Sequence, residues 1–586
     1  MMRLSTSALL IALGAACLSQ QQVSSFTPPS FSSAATNTKK LPQKGEASKG
    51  KQLSKEELQG KFQQVEQELR KKHDNDAFNA LFVSCKERKD PIPITETQGK
   101  LPADFPPGCL MRLGPNGADP TDGFFDGDGM VQCITFPPSD SEYKPSFSAT
   151  YVETKGRQLE QQSGFTKKFR GTLGGVPEGL PMLQSIFQNA ITFKTLQAQK
   201  DTCNTALAEH GGRVLALMEQ SPPTEIEIYK DGRVKTIESC STLDGAIQSA
   251  PISGGTFSAH GRTCPDTGDR VHVSYRSDAK PYLRMDVFSP GWALKESIGI
   301  DIPAPIFLHD CAITRNYVVI FDLPLTLRIN RIFRNRFPVE YEPSHSARIG
   351  LVHRTGGDIK WFDCDPGVVL HASNAWESED GKTVTIQGLW GEPRANECYL
   401  ESFAPSFFYE YSIDLETRKL SEQCLNADVP VEFPIIDENF TGKECSACYC
   451  ISVKSVGGPL DMYQQPKEGV VFDGVVKLAA TDMDGHQKGD VIGRFSLPGR
   501  WYAVSESTVI PKENEQGGEY VAVIATNIPE SVTWQDVEKD PSMAESQVII
   551  LDGADLESGP IYTATLPYMV PYGLHSGYFG WESILK

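Results

Sequence analysis

The 586-residue sequence predicts an all-β fold, on three observations. Short runs rich in Val, Ile, Phe and Tyr recur along it, as at Arg213–Met218, Arg270–Ser274, Tyr317–Phe321, Thr383–Gln387 and Val548–Leu551. Turn signals such as Lys230-Asp231-Gly232 and Asp552-Gly553 separate such runs, and 50 Gly and 40 Pro punctuate the chain. Candidate strands far outnumber candidate helices and do not alternate with them, which favours a propeller or large closed barrel over a βαβ sheet.

Taken from the start, residues 1–25 read as a signal peptide. Met1-Met2-Arg3 supplies a positive beginning, and the apolar stretch from Ser7 to Leu18 is too short to span a bilayer. Val23-Ser24-Ser25-Phe26 leads into residues 26–52, rich in Ser, Thr, Pro and Lys and almost free of acid, which reads as a disordered transit-like segment. Together they resemble the bipartite plastid presequence of algae with secondary plastids; plain secretion is the alternative. Residues 53–75 are expected to form an amphipathic helix. Ser54 and Glu57 make a capping box, and Leu58, Phe62, Val65 and Leu69 share one face. From 76 to 586 no shift of composition marks a second domain.

Within that region the segment 180–197 stands out as helical. Leu183, Ile186, Phe187, Ala190 and Ile191 lie on one face, for which core packing is the favoured reading and peripheral membrane contact the alternative. The net charge of -19 repels phosphate backbones, so no nucleic-acid partner is expected. One basic stretch, from Arg328 to Arg336, reads as a solvated loop or helix, with a membrane surface as the alternative. The 14 Cys are scattered and are expected to be mostly reduced and buried. Cys445, Cys448 and Cys450 lack a second Cys/His pair that would complete a tetrahedral site.

Ten His occur. His73, His353 and His486 sit among charged or Gly-rich residues and are expected in solvent. Four others lie within or beside short apolar or small-residue stretches: Phe257-Ser258-Ala259-His260, Ile306-Phe307-Leu308-His309, Val368-Val369-Leu370-His371 and Pro571-Tyr572-Gly573-Leu574-His575. Any one of them alone reads most simply as a packed core histidine. Their separations of 49, 62 and 204 residues fit no local zinc motif, so a shared metal requires a closed architecture that gathers distant segments.

The wording of these segments carries more than their spacing. Gly114-Pro115-Asn116 with Phe124-Phe125-Asp126-Gly127-Asp128-Gly129-Met130-Val131 resembles the opening motif of the carotenoid cleavage oxygenase family, the superfamily of carotenoid cleavage dioxygenases and retinoid isomerases. So do, in the family's order, Phe257–His260, Leu308–Thr314 with Phe321–Pro324, His371–Glu377 and Val570–His575, over roughly residues 80 to 586. The resemblance implies a seven-bladed β-propeller with a few helices capping one face. It implies iron(II) (Fe2+) on the axis, held by His260, His309, His371 and His575. It also implies three glutamates behind the ligands, Glu219 serving His309, Glu432 serving His371 and Glu506 serving His575, with His260 lacking one. No catalytic residue is expected beyond this metal site. His210 falls outside the motifs and is not expected to bind. Gly117, and Gly261-Arg262 after the first His, depart from the family's wording.

These residue types suit the chemistry. Neutral imidazoles suit iron(II), and four leave up to two octahedral positions open. A carboxylate accepting a ligand's outer N–H fixes its tautomer and raises its basicity. The expected reaction is cleavage by dioxygen of a conjugated C=C bond in a carotenoid or apocarotenoid, giving two carbonyl products in a plastid. The alternatives are cleavage of hydroxylated stilbenes, retinoid-type isomerisation on the same scaffold, and a binding scaffold without chemistry.

Overall fold

Most strands pair antiparallel with the next strand in the chain, so the sequence folds largely as a succession of meanders. The structure is a computed structural model. It describes residues 53–584 apart from 118–126, 139, 166, 168, 170–179, 195–199, 220, 248–256, 329, 332–337, 395–403, 458–468, 484 and 514–516, and leaves out the side chains of 180–183, 185 and 186. The presequence reading and the Phe124–Asp126 part of the opening motif lie outside the described residues.

The chain divides into two units, residues 1–59 and 60–586. In the first, the described residues open the helix Lys55–Arg70 with the expected capping box: Ser54 N–H donates to Glu57 Oε2 at 2.7 Å, and Glu57 N–H to Ser54 Oγ at 3.2 Å. In the second unit, Phe62 of the same helix stacks on Phe407 with ring centroids 4.2 Å apart, and Leu69 is buried.

Four sheets of the second unit have four strands each. They run Ala206–His210 to Val234–Glu238, Gly261–Thr263 to Leu294–Ile300, Ala312–Ile313 to Lys360–Asp363, and Val368–Glu377 to Lys419–Asn426. A five-stranded sheet joins the two ends of the unit, because Ser576–Gly580 pairs with Gly108–Asn116. A ten-stranded sheet takes in the strands from Val431–Ile435 to Pro560–Thr565 together with Thr97–Gly99. A two-stranded ribbon, Leu325–Leu327 with Val339–Tyr341, completes the set among the described residues.

Burial grades across the sheet from Val368–Glu377 to Lys419–Asn426 as the residues dictate. Nine of the ten residues of Val368–Glu377 are buried, whereas Lys419–Asn426 at the other end of that sheet alternates exposed Lys, Ser and Gln with half-buried Leu, Glu and Cys. Side chains on a strand point to opposite faces in turn, so a strand in solvent on one face shows this alternation and one enclosed on both does not. Val271, Val319, Ile349, Ala375 and Ile386, from three consecutive sheets, form one apolar cluster between them.

One expectation fails in part here. Phe187 and Ile191 of the helix Leu180–Phe193 are 60% and 64% exposed, so these two residues of the apolar stripe do not pack on the core. Of the basic stretch only Arg328, Asn330 and Arg331 are described: Asn330 is exposed, and the two arginines are held in ion pairs. Arg328 pairs twice with Glu342, at 2.5 and 2.8 Å, and Arg331 with Glu340 and Glu342 at 3.3 and 3.0 Å. Of the three histidines expected in solvent, His486 is exposed; His353 and His73 are half-buried, the latter with its ring centroid 5.8 Å from that of Phe78.

Candidate metal centre

The structure brings together His260, His309, His371 and His575. Each lies on or next to the end strand of a different sheet: His260 precedes Gly261–Thr263, His309 precedes Ala312–Ile313, His371 is within Val368–Glu377, and His575 precedes Ser576–Gly580. One ring nitrogen from each falls in a group whose members all lie within 4.8 Å of one another. The Nε2 atoms of His260 and His309 are 3.0 Å apart, and those of His309 and His371 are 3.2 Å apart.

Three glutamates fix which nitrogen faces inward. Glu219 Oε1 accepts from His309 Nδ1, Glu432 Oε2 from His371 Nδ1 at 2.9 Å, and Glu506 Oε2 from His575 Nδ1 at 2.9 Å. All three carboxylates are buried. An imidazole that donates its Nδ1 proton keeps a lone pair on Nε2. Lone pairs converging at about 3 Å repel unless a cation sits between them. Two nitrogens bound at right angles through bonds of about 2.1 Å are separated by roughly 3.0 Å, so the two short spacings fit cis positions around one first-row metal ion. The residues therefore fit a metal. No carboxylate contacts His260 among the described residues.

Charge follows the same division. Burial, then the neighbouring imidazoles of His309, His575 and His371, push His260 far below the usual histidine range. Burial also acts against a charged His309, but the Glu219 carboxylate outweighs it and raises the ring above its ordinary value. At His371 burial wins over Glu432 and the ring stays below. Burial opposes ionisation of Glu432, yet His371, Ser406 and the Phe433 N–H together hold its carboxyl below the ordinary value.

Local structure shows why these residues project as they do. The ladder between Val368–Glu377 and Thr383–Gly391 slips on both sides of Ala372, a bulge that re-aims His371. Phe433 adopts φ +54°, a conformation side chains rarely take, and its ring lies 5.3 Å from those of both His371 and His575. Glu506 is gripped by the segment it serves, since Ser576 N–H donates to its Oε1 at 2.6 Å. Gly573 must lack a side chain: a Cβ there would lie 1.9 Å from Nη2 of the fully buried Arg112.

His210 stands apart, buried with Nε2 2.9 Å from the Ser289 carbonyl and its ring edge-on to Trp292. The twelve described cysteines are free, and Cys448 and Cys450 face each other with sulfurs 3.8 Å apart. The opening motif is architectural: Asn116 holds Cys85 through both backbone groups at 2.9 Å, and Asp128 pairs with Arg157 and Lys200 at 2.8 and 2.6 Å. Sequence reasoning assigned no role to Tyr275 and Ser406, whose hydroxyls donate to Glu219 at 3.0 Å and to Glu432 at 2.6 Å. Nor did it assign one to Arg262 and Asp310, although both flank a histidine of the cluster.

Comparison with known proteins finds relatives over most of the chain. The chain is 29% identical over 515 residues to a carotenoid 9,10(9',10')-cleavage dioxygenase of Phaseolus vulgaris, covering 83% of this chain and 87% of that one. It is 27% identical over 508 residues to a chloroplastic 9-cis-epoxycarotenoid dioxygenase of Arabidopsis thaliana, covering 84% and 79%. Among solved structures, a cobalt-substituted Synechocystis apocarotenoid oxygenase superposes with TM-score 0.67 at 22% identity, over 87% of this chain and 99% of that one. A Pseudomonas brassicacearum lignostilbene dioxygenase superposes with TM-score 0.66 at 23% identity, over 86% and 97%. The shared fold is the β-propeller. With the sequence profile of the retinal pigment epithelial membrane protein family matching residues 82–580, the chain belongs to that family, the carotenoid cleavage oxygenases.

Proposed function

We propose that the metal is iron(II) and that the protein cleaves a conjugated C=C bond of a carotenoid or apocarotenoid with dioxygen, giving two carbonyl products. The enzyme class, a carotenoid cleavage dioxygenase, follows from family membership and from the named relatives. The observation that carries the metal assignment is the convergence of the imidazole nitrogens with their outer N–H groups tied to buried carboxylates. Four neutral nitrogen donors without a bound carboxylate suit iron(II), which when held by His260, His309, His371 and His575 would supply activation of dioxygen.

The chain's own part is to hold and to exclude. Glu219, Glu432 and Glu506 keep the imidazoles in one tautomer and offset a divalent charge in a buried site. Phe307 stacks beside His309 and Phe433 lies beside His371 and His575, so apolar rings border the centre. Such rings favour a polyene and keep water from the reacting bond. Which bond breaks is then a matter of how the substrate is positioned.

Three finer readings go with this. Counting residues 431–496 and 501–565 of the ten-stranded sheet as separate meanders, with the five-stranded sheet and the four four-stranded ones, makes seven blades. The helix Leu180–Phe193, with Phe187 and Ile191 exposed, contacts a membrane in which an apolar substrate dissolves. Residues 1–52 address the protein to a plastid, in keeping with the chloroplastic 9-cis-epoxycarotenoid dioxygenase among its relatives.

Incubation with a carotenoid panel under isotopically labelled dioxygen tests the reaction. Both carbonyl products should carry label when exchange with water is suppressed, and His371→Ala should lose iron and turnover together. Isomerised product without oxygen uptake, or full iron content in His371→Ala, overturns the reading.

A further inference from the structure

Besides the glutamates, one ion pair touches the cluster's supporting backbone. Arg262 stands two residues after His260 and Asp310 one residue after His309, and the two side chains form a salt bridge in which Asp310 is buried and Arg262 a quarter exposed. Arg262 also donates through Nε to the Cys311 carbonyl at 3.0 Å and through Nη2 to the Ala372 carbonyl at 2.8 Å. Asp310 accepts from the Cys311 N–H at 2.7 Å and from the Ala372 N–H at 3.0 Å. Ala372 directly follows His371. The pair therefore joins the segments that carry three of the four histidines, each from a different sheet.

The arrangement at Ala372 has a clear physical sense. Val368–Glu377 is the end strand of its sheet, and its pairing with the neighbouring strand is irregular on both sides of Ala372. An end strand has backbone groups with no strand beside them, and buried backbone groups need partners. Here a carboxylate takes the N–H and a guanidinium the C=O of one residue, as an adjoining strand would. The planar fork of Arg262 reaches two carbonyls and a carboxylate at once, which the single ammonium of a lysine does not reproduce.

We propose that Arg262 and Asp310 are positioning residues that set the spacing of His260, His309 and His371, and so the affinity and ligand field of the metal. The inference rests on the metal reading above. Its consequence is that substitution changes the centre even where all four imidazoles and their three glutamates are intact. A loss of roughly 10- to 100-fold in metal affinity is what removing outer partners of metal ligands typically produces.

The test uses cobalt(II) as probe on the full chain, comparing the parent with Arg262→Lys, Arg262→Gln and His371→Ala. Arg284→Lys serves as control, since Arg284 pairs with buried Asp286 at 2.9 Å with no histidine of the cluster beside it. Affinity, visible cobalt absorption bands and thermal midpoint are read for each. Both Arg262 variants should bind cobalt about tenfold or more weakly and with shifted bands, while Arg284→Lys matches the parent. If Arg262→Gln fails to fold, Arg262→Lys, which keeps the charge, decides. Affinity within twofold of the parent and unchanged bands overturn the proposal. So does a loss of affinity that keeps the bands and vanishes on cooling, which marks general destabilisation. If parent and His371→Ala bind cobalt alike, the metal reading itself falls and takes this inference with it.

Discussion

Replacing Glu432 by Gln separates the charge of a supporting carboxylate from its shape. The two oxygens of Glu432 have different partners. Oε2 accepts from His371 Nδ1 at 2.9 Å and from the Phe433 N–H at 3.0 Å, while Oε1 accepts from Ser406 Oγ at 2.6 Å. A glutamine amide can take the same place with its oxygen where Oε2 stands and its NH2 where Oε1 stands. Ser406 would then accept from that NH2 and turn its hydroxyl hydrogen to the Val431 carbonyl, 3.0 Å away. Every hydrogen bond survives and only the negative charge goes. The metal-free fold should therefore keep its stability within about 1 kcal/mol, whereas metal affinity should fall about 10- to 100-fold, or about 1.4–2.8 kcal/mol. Glu432→Ala is the contrast, because it leaves the N–H groups of His371 and Phe433 to find new partners in a buried site at about 1–3 kcal/mol each. Anaerobic iron(II) or cobalt(II) titration, with thermal unfolding of the metal-free protein, measures both quantities. A Gln variant that binds metal within twofold of the parent, or that loses as much fold stability as the Ala variant, refutes the reasoning.

Other perturbations have equally definite outcomes. Gly573→Ala should destabilise severely and displace His575, because the added methyl meets the Arg112 guanidinium at 1.9–2.2 Å; the unfolding midpoint and metal content would fall together. Phe433→Ala should cost about 3–5 kcal/mol in urea unfolding, as expected for emptying a buried aromatic site; the alanine keeps a Cβ and so any strain of the positive φ. Phe187→Glu with Ile191→Glu should reduce co-sedimentation with lipid vesicles by about tenfold or more, since two exposed apolar side chains lose their burial in the lipid. Glu342 is held at about 2, chiefly by its hydrogen bond from Arg328. A carboxyl lowered on folding stabilises above its unfolded value and loses that contribution as pH falls towards the folded one, so Glu342→Gln should cost about 1 kcal/mol or less at pH 7 and almost nothing near pH 2.

How far the sequence discloses this molecule varies from residue to residue for physical reasons. The strands are legible because alternation and turn residues are local: Arg270–Tyr275 and Thr383–Gly391 need nothing beyond their own wording. The histidines stand out by motif rather than by spacing, since the closed fold erases the meaning of sequence distance. Tyr275 and Ser406 carry no signal, because their contact with a glutamate depends on how separate sheets lie against each other. Blade boundaries are hidden where Trp501–Ala503 pairs with both Val470–Ala479 and Glu519–Asn527, fusing two meanders into one sheet. The helix Leu180–Phe193 misleads for another reason: an apolar stripe reads the same whether it meets a core or a lipid surface.

The lone carboxylate-free imidazole also has an electrostatic logic. With a divalent cation at the centre, Glu219, Glu432 and Glu506 already supply one negative charge more than the cation carries, and the Arg262–Asp310 pair adds none. A fourth buried carboxylate behind His260 would leave two uncompensated charges in a medium where each costs several kcal/mol. His260 does not need one to stay neutral, because burial and the three neighbouring rings already push it far below the usual range, keeping its lone pair free. Its backbone is held instead by Ser258, whose hydroxyl accepts from the His260 N–H at 3.1 Å and is 3.0 Å from its carbonyl. Three imidazoles are thus oriented through their outer nitrogens and the fourth through its main chain. The His260 side is consequently where a change in backbone contacts, such as those made by Arg262, reaches the centre most directly.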